Sequence, residues 1–361
     1  MQGHRQRVAV LLSGGVDSSV ALKLLIDQRQ YEIHAFYLKI WLEDELAFLG
    51  NCPWEDDLNV CHAVCDQFQI PLKIISLQHE YHDRIVSHAL SELKQGRTPS
   101  PDIYCNQHIK FGVFFEKLSE TYDWVASGHY AKVEHSESGG LSKLLRAPDK
   151  VKDQTYFLSN LSQEQLRKIL FPLGSFTKSQ VRELAEDFDL PNKKRKDSQG
   201  ICFLGKIPYR DFVKYHLGEK KGDIVELETN LKKGTHQGVW FHTIGQRKGL
   251  GLGEGPWYVV KKDIDQNIVY ISHSDQYLHQ AKSTFEVSSM NWISGCSDAK
   301  FVNFCKVRHG PELIACEIEV IDEHVFRVIM NTSDSGIASG QHAIFYHNEE
   351  CLGGGMILEE G

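Results

Sequence analysis

Directly after an apolar run at residues 8–12 the chain reads Ser13-Gly14-Gly15-Val16-Asp17-Ser18-Ser19, then enters an apolar-periodic stretch from Val20. Two adjacent glycines let the backbone turn tightly with its N–H groups inward, and a helix N-terminus behind them adds the positive end of its dipole. Such a segment is built to hold an anion, and phosphate is the natural guest. The spacing is neither that of a Walker loop nor that of a dinucleotide fingerprint. Two cysteines carry the other candidate chemistry. Thr98-Pro99-Ser100-Pro101-Asp102-Ile103-Tyr104-Cys105-Asn106 contains two prolines, which predicts a stiff non-helical loop bearing Asp102 and Cys105 ahead of a helix at Ile109. Lys193-Lys194-Arg195-Lys196-Asp197-Ser198-Gln199-Gly200-Ile201-Cys202 sets four cations before a second cysteine. A helix N-terminus near one thiol and positive charge near the other both favour the thiolate.

The elements that must position these residues follow from periodicity. Strands fit residues 8–12, 33–40, 72–77 and 124–127, and helices fit 17–28, 57–68, 83–94, 109–120 and 178–188, the pattern of a parallel sheet with crossover helices. Beyond about residue 205 short alternating segments separated by Gly, Asn and Asp take over. Segments 257–261 and 268–273 follow a Gly-dense loop at 245–256, and 301–307, 314–321, 325–330 and 343–346 have the spacing of a small barrel's strands. The reading is α/β plus β: a doubly wound catalytic domain over 1–205, a small central domain over 206–275 and a C-terminal β-barrel over 276–361. At roughly 150 residues per domain, 361 residues accommodate this without help from disulfides.

Composition sets outer bounds. Forty Lys+Arg against 48 Asp+Glu give −8, which argues against a protein that coats nucleic acid over its whole surface, so any such contact is a local basic patch. No apolar run is long enough to span a membrane, and no signal-peptide pattern opens the chain, so a cytoplasmic protein is expected. Nine cysteines spread along such a chain read mostly as buried thiols. Cys61 and Cys65, on an amphipathic helix with Val60, Val64 and Phe68 and with no second ligand pair following, read as core residues, and no structural metal is expected.

Ser-Gly-Gly-x-Asp-Ser resembles the PP-loop of the ATP pyrophosphatases, which implies adenylation of an oxygen. With it stand Cys105 in its Pro-Asp loop, Ser127-Gly128-His129-Tyr130, Lys152-Asp153-Gln154-Thr155-Tyr156-Phe157-Leu158, the 197–205 stretch, the 242–251 stretch, and Cys351-Leu352-Gly353-Gly354-Gly355. In this order they resemble the bacterial-type tRNA-specific 2-thiouridylases over nearly the whole chain. That resemblance implies replacement of the 2-oxygen of a wobble uridine by sulfur, with ATP and Mg²⁺ as cofactors and tRNA as substrate. Cys202 then carries a persulfide delivered by a sulfur-relay protein, and Cys105 assists transfer. The route is either a transient Cys105–Cys202 disulfide with sulfide release or direct persulfide attack. Asp102 is the general acid/base. By the same resemblance the ATP contacts fall on Leu11, Leu12, Ser13, Gly14, Gly15, Val16, Asp17 and Ser18, with Leu38 and Gly128. The tRNA contacts fall on Ser100, Pro101 and Asp102 at the target base, and on His129, Lys152, Asp153, Gln154, Arg308, His309 and Gln341. Leu38 stands where Met is frequent in the family, Ser100 where Asn is usual, His309 where Tyr is common and Gln199 where Thr is usual. A monomer is expected. The competing readings are another PP-loop tRNA modifier or amide-forming enzyme, and a nucleotide-binding protein without turnover.

Overall fold

The computed structural model describes residues 5–40, 54–118, 121–136, 139–197, 208–273, 281–295 and 297–358. Cys202 and Gln199 lie outside these residues, as do the expected domain boundaries at 205/206 and 275/276. The first sheet is wholly parallel. Its strands β1 (Gln6–Leu12), β2 (Tyr31–Lys39), β3 (Leu72–Ser76), β4 (Trp124–Ala126) and a later β7 (Ile169–Leu170) stand in the order β3-β2-β1-β4-β7. Val8 pairs with Ile33 on one side and Trp124 on the other, so β1 is central. A central parallel strand is covered on both faces, which is why its sequence is a continuous apolar run.

Successive β1 side chains alternate between two cores. Val8, Val10 and Leu12 pack under α1 (Val16–Asp27) and α2 (Trp54–Phe68), where Cys61 and Cys65 are also buried. Ala9 and Leu11 pack on the other face, against a helix α3 spanning 78–94 and a helix α4 spanning 101–118. α4 corrects the expected stiff loop. Pro101 occupies its first turn, where a missing N–H costs nothing, so the helix begins at Pro101–Tyr104 and continues through a wide π-helical stretch, Cys105–Val113. Cys105 is therefore a helical residue, 1% exposed, rather than a loop residue.

The chain continues through the hairpin β5 (Ala131–Glu134) and β6 (Lys143–Arg146), then α5 (Thr155–Leu158), α6 (Gln163–Leu166) and, after β7, α7 (Lys178–Asp187), which opens with a Thr177/Gln180 capping box. After α8 (Tyr209–Leu217), a central four-stranded sheet joins β8 (Gly222–Glu226), β9 (Lys232–His236), β10 (Trp257–Asp263) and β11 (Ile268–His273) in the order β10-β11-β8-β9. The last unit is a closed six-stranded barrel of β12 (Lys282–Trp292), β13 (Phe304–Lys306), β14 (Ile314–Val320), β15 (Phe326–Asp334), β16 (His342–His347) and β17 (Glu350–Ile357). Antiparallel pairing of β12 with β17 closes it. The doubly wound domain and the barrel match the fold class expected from the sequence. β12 and β17, the closing pair, were not foreseen. Gly353 (φ 135°) is one reason: a Cβ there would collide with the Asn291 carbonyl oxygen, so the glycine run permits closure where strand propensity is poor. β17 also pairs with β6, so the hairpin of the first domain continues the barrel's sheet. Among the described residues no helix is long and apolar enough to cross a membrane.

Candidate functional site

The segment after β1 folds as a tight turn into the N-terminus of α1, the geometry expected of an anion loop. Gly14 has φ 72°, and Gly15 is extended as the N-cap of α1. The Ser18 hydroxyl donates to the Gly15 carbonyl (2.9 Å) and accepts from the Ser13 amide (3.3 Å), while the Ser13 hydroxyl accepts from the Gly15 amide (3.4 Å). The hydroxyls thus brace the turn from within. Leu11, Leu12 and Val16 bury their side chains, which leaves their backbone groups to line the loop. Gly128 closes the cradle from the end of β4: a Cβ there would lie 2.7 Å from the Ser18 amide nitrogen. Leu38, at the end of β2, packs against the same core cluster that holds Cys105.

Residues without a role in the sequence reading hold this loop. Buried Asn192 donates through Nδ2 to the Gly14 carbonyl (2.9 Å) and to the Ser19 hydroxyl (3.0 Å), and its Oδ1 has no protein partner. Arg195 donates to the same carbonyl (3.2 Å) and pairs with Asp57. The basic run ahead of Cys202 is therefore partly turned onto the anion loop, with Lys194 and Lys196 exposed. Asp17 accepts from the Tyr130 hydroxyl (2.8 Å) and holds the Lys178 ammonium at 2.7 Å. Lys178 also lies 2.8 Å from Asp197, which further binds Lys152 (2.9 Å) and Arg182. Burial works against the charge on Asp197, but hydrogen bonds from Lys152 and Lys178 outweigh it and hold the carboxyl far below the usual range. Nothing in the periodicity marks Lys178 or Asn192. The weak signal available was that Lys178 and Arg182 are i, i+4 on one helix, so both reach the same segment.

Helix α4 brings Asp102 and Cys105 onto one face, since they are i, i+3. Ser100 is its N-cap residue, and Ser100, Pro101 and Asp102 are partly exposed whereas the Cys105 thiol is buried. The barrel touches this segment: the Thr98 amide donates to the Ser339 carbonyl (2.8 Å), which sets Gln341 beside it. His129 is half-buried, its Nδ1 2.7 Å from the Ser127 hydroxyl and its ring in a three-ring cluster with Phe111 and Phe171. Burial, reinforced by Lys110, holds it neutral.

The remaining residues expected to face RNA form a second group. Lys152 and Gln154 are partly exposed, and Arg308 and His309 are exposed on the loop after β13. Asp153 is different. Its side chain is wholly buried, 3.2 Å from Arg146 Nε and 3.0 Å from Lys306 Nζ, and it also accepts from the Thr155 hydroxyl. It cannot touch RNA through its carboxylate, because that group is consumed in neutralising two buried cations. It instead joins the two loops: Lys306 lies two residues before Arg308, and a His309 ring nitrogen bonds the Asp153 carbonyl oxygen (3.1 Å) while the ring stacks on Phe157.

The two thiols of α2 are buried. Burial pushes Cys61 up to about 12 and Cys65 to about 11. Among the described cysteines there is no disulfide.

Residues 6–206 match the family described as tRNA methyl transferase HUP domain, 210–273 the tRNA methyl transferase PRC-barrel domain and 282–357 the aminomethyltransferase beta-barrel domain. Among curated proteins the chain is 44% identical over 357 residues to "tRNA-specific 2-thiouridylase MnmA 2" of Bacteroides fragilis, covering 97% of this chain and 99% of that one. It is 43% identical over 360 residues to the MnmA 2-thiouridylase of Parabacteroides distasonis, covering 98% and 99%. It is 42% identical over 363 residues to that of Porphyromonas gingivalis, again covering 98% and 99%.

Proposed function

Because the chain belongs to the tRNA-specific 2-thiouridylase family, we propose that it thiolates the wobble uridine of tRNA by adenylating the uracil 2-oxygen with ATP and then delivering sulfur from a Cys202 persulfide. A carbonyl oxygen is a poor leaving group, and converting it to an adenylate, with loss of pyrophosphate, makes its displacement by sulfur feasible. The observation that carries the reading is the anchoring of Asn192 and Arg195 on the Gly14 carbonyl. Through it the segment leading to Cys202 is built onto the loop that receives the triphosphate.

The loop from Leu11 to Ser18, with Gly128 behind it, suits a polyphosphate: a two-glycine turn that leads into a helix N-terminus, with the Arg195 guanidinium beside it. Mg²⁺ bound with the nucleotide would supply charge neutralisation for the departing pyrophosphate. Asp17 is the nearest carboxylate of the loop, oriented by Tyr130 and Lys178. Asp102, one turn before Cys105, is positioned to accept or return the proton of that thiol or of the uracil. Cys105 supplies the second sulfur. Its attack on the Cys202 persulfide forms a Cys105–Cys202 disulfide and releases sulfide; in the direct route the terminal persulfide sulfur attacks carbon 2 of uracil, AMP departs, and Cys105 then cleaves the resulting perthio link. A thiol held in the interior, as Cys105 is, suits a group that must react with one partner and resist others. Lys152, Gln154, Arg308, His309, Gln341 and His129 are the tRNA-facing groups, a persulfide-bearing protein the sulfur source, and a cytoplasmic monomer the working form.

Mass spectrometry of tRNA hydrolysate after incubation with ATP, Mg²⁺ and sulfide should reveal 2-thiouridine. Full ATP binding without 2-thiouridine or tRNA-dependent pyrophosphate release would favour a non-catalytic nucleotide-binding protein instead.

A further inference from the structure

The charged groups around Asp197 run without a break from the anion loop to the loop at 149–154. Asp17 and Asp197 share the Lys178 ammonium, at 2.7 and 2.8 Å, and Asp197 also holds Lys152 at 2.9 Å. Arg182 completes the set, pairing with Asp197 and donating to the Lys193 (3.1 Å) and Arg195 carbonyls. Lys178 is fixed at its backbone as well, its amide donating to Asp149 at 3.0 Å. The ammonium therefore has two carboxylate acceptors and the backbone below it does not move freely.

We infer that Asp197 is a positioning residue that couples nucleotide and tRNA binding with negative sign, each ligand weakening the other. This rests on the function proposed above. A polyphosphate arriving beside Asp17 draws Lys178 toward the loop and away from Asp197. Asp197, left with fewer cations in a partly buried setting, then holds Lys152 more tightly, and Lys152 is less available to an RNA phosphate. Linkage makes the effect reciprocal: tRNA that takes Lys152 leaves Asp197 holding Lys178 against the nucleotide. One partly exposed ion pair limits the coupling to about fivefold in each dissociation constant.

The test measures binding of an unmodified wobble-uridine tRNA transcript with and without saturating α,β-methylene-ATP, and of the nucleotide with and without tRNA. The parent should give equal, few-fold weakening in both directions. Asp197→Asn should bring both ratios to one while each ligand still binds alone, and Asp197→Glu should restore them, a pattern that loss of fold does not produce. If Asp197→Asn does not fold, Asp197→Ser carries the same expectation. A parent ratio of one or positive coupling overturns the relay, as does a variant that keeps the parent ratio. Absence of nucleotide or tRNA binding by the parent strikes the functional reading itself.

Discussion

Replacing Gly128 by alanine adds one methyl group where the turn after β4 meets the anion loop. The new Cβ would lie 2.7 Å from the Ser18 amide nitrogen, 2.8 Å from the Asp17 carbonyl carbon and 2.9 Å from the Ser18 Cα. All three are backbone atoms, so no rotamer change relieves the overlap. Reaching an ordinary contact of 3.4 Å requires the loop to retreat by about 0.7 Å (3.4 less 2.7). Overpacking of this kind costs about 1–3 kcal/mol in stability. Under the proposed function the cost in turnover is larger, because the displaced Ser18 amide then belongs to the set that meets the phosphates, and a misplacement of about 1 Å costs roughly 10²-fold in rate. Calorimetric titration with α,β-methylene-ATP, beside a thermal melt, measures both. Gly253→Ala is the control, since a Cβ there meets nothing within 4 Å. The expected outcome is a melt lowered by a few degrees, nucleotide affinity and turnover sharply reduced, and a control like the parent. A Gly128→Ala protein that binds the nucleotide as tightly as the parent refutes the close-packing argument.

Cys202→Ser should abolish persulfide capture, whereas Cys105→Ser should capture persulfide and fail to transfer it. Intact-mass measurement after persulfide loading, followed by 2-thiouridine analysis, separates the two, and undiminished transfer by Cys105→Ser would sink its assigned role. Asp153→Asn leaves Lys306 as a buried cation without its carboxylate and Arg146 with only the longer pair to Glu349 at 3.8 Å, and should cost about 3–5 kcal/mol in urea unfolding. A loss under about 1 kcal/mol would mean that the network relaxes or is wet. His342 and His242 are each held down to about 4, chiefly by burial, with His88 adding to the effect on His342 and His236 to that on His242. Their folded values lie below the ordinary 6.5, so the unfolded chain binds protons that the folded one refuses. Stability from these rings is full above pH 6.5 and is lost as pH falls toward 4, on the order of 3 kcal/mol each. His342→Gln should flatten that slope in urea midpoints taken between pH 7.5 and 5, and an unchanged slope counts against the assignment.

The parallel sheet was legible from its centre, because a central parallel strand has no polar face and 8–12 is a continuous apolar run, whereas the edge strand at 72–76 is mostly exposed and carries Lys73 and Ser76. The anion loop was legible because its requirement is local, two glycines between a strand and a helix. Helix α4 was misread because prolines at 99 and 101 were counted as helix breakers, although proline in the first turn begins a helix as readily as it ends one. The burial of the Asp153 side chain was hidden for a different reason. Lys152-Asp153-Gln154 is polar at every position, and sequence alone cannot distinguish a carboxylate that faces solvent from one clamped between Arg146 and Lys306, residues 7 and 153 positions away. β12 and β17 escaped because barrel closure is a long-range pairing made by a glycine run that carries little strand propensity of its own.

The same distinction bears on how a chain of net charge −8 engages RNA. The cations the sequence offers are largely engaged by carboxylates: Lys193 with Glu186 and Asp189, Arg195 with Asp57, Lys152 with Asp197 and Arg308 with Asp334. A phosphate backbone must therefore exchange ion pairs rather than meet bare charge. Such exchange is near balance at any single site, so a random RNA that reaches one or two of these pairs gains little. Under the proposed function, an RNA whose shape reaches the 149–154 loop and the loop after β13 together exchanges both pairs at once, on a frame that Asp153 and Lys306 join. Selectivity then comes from geometry and not from total charge, which is why an acidic balance is no obstacle.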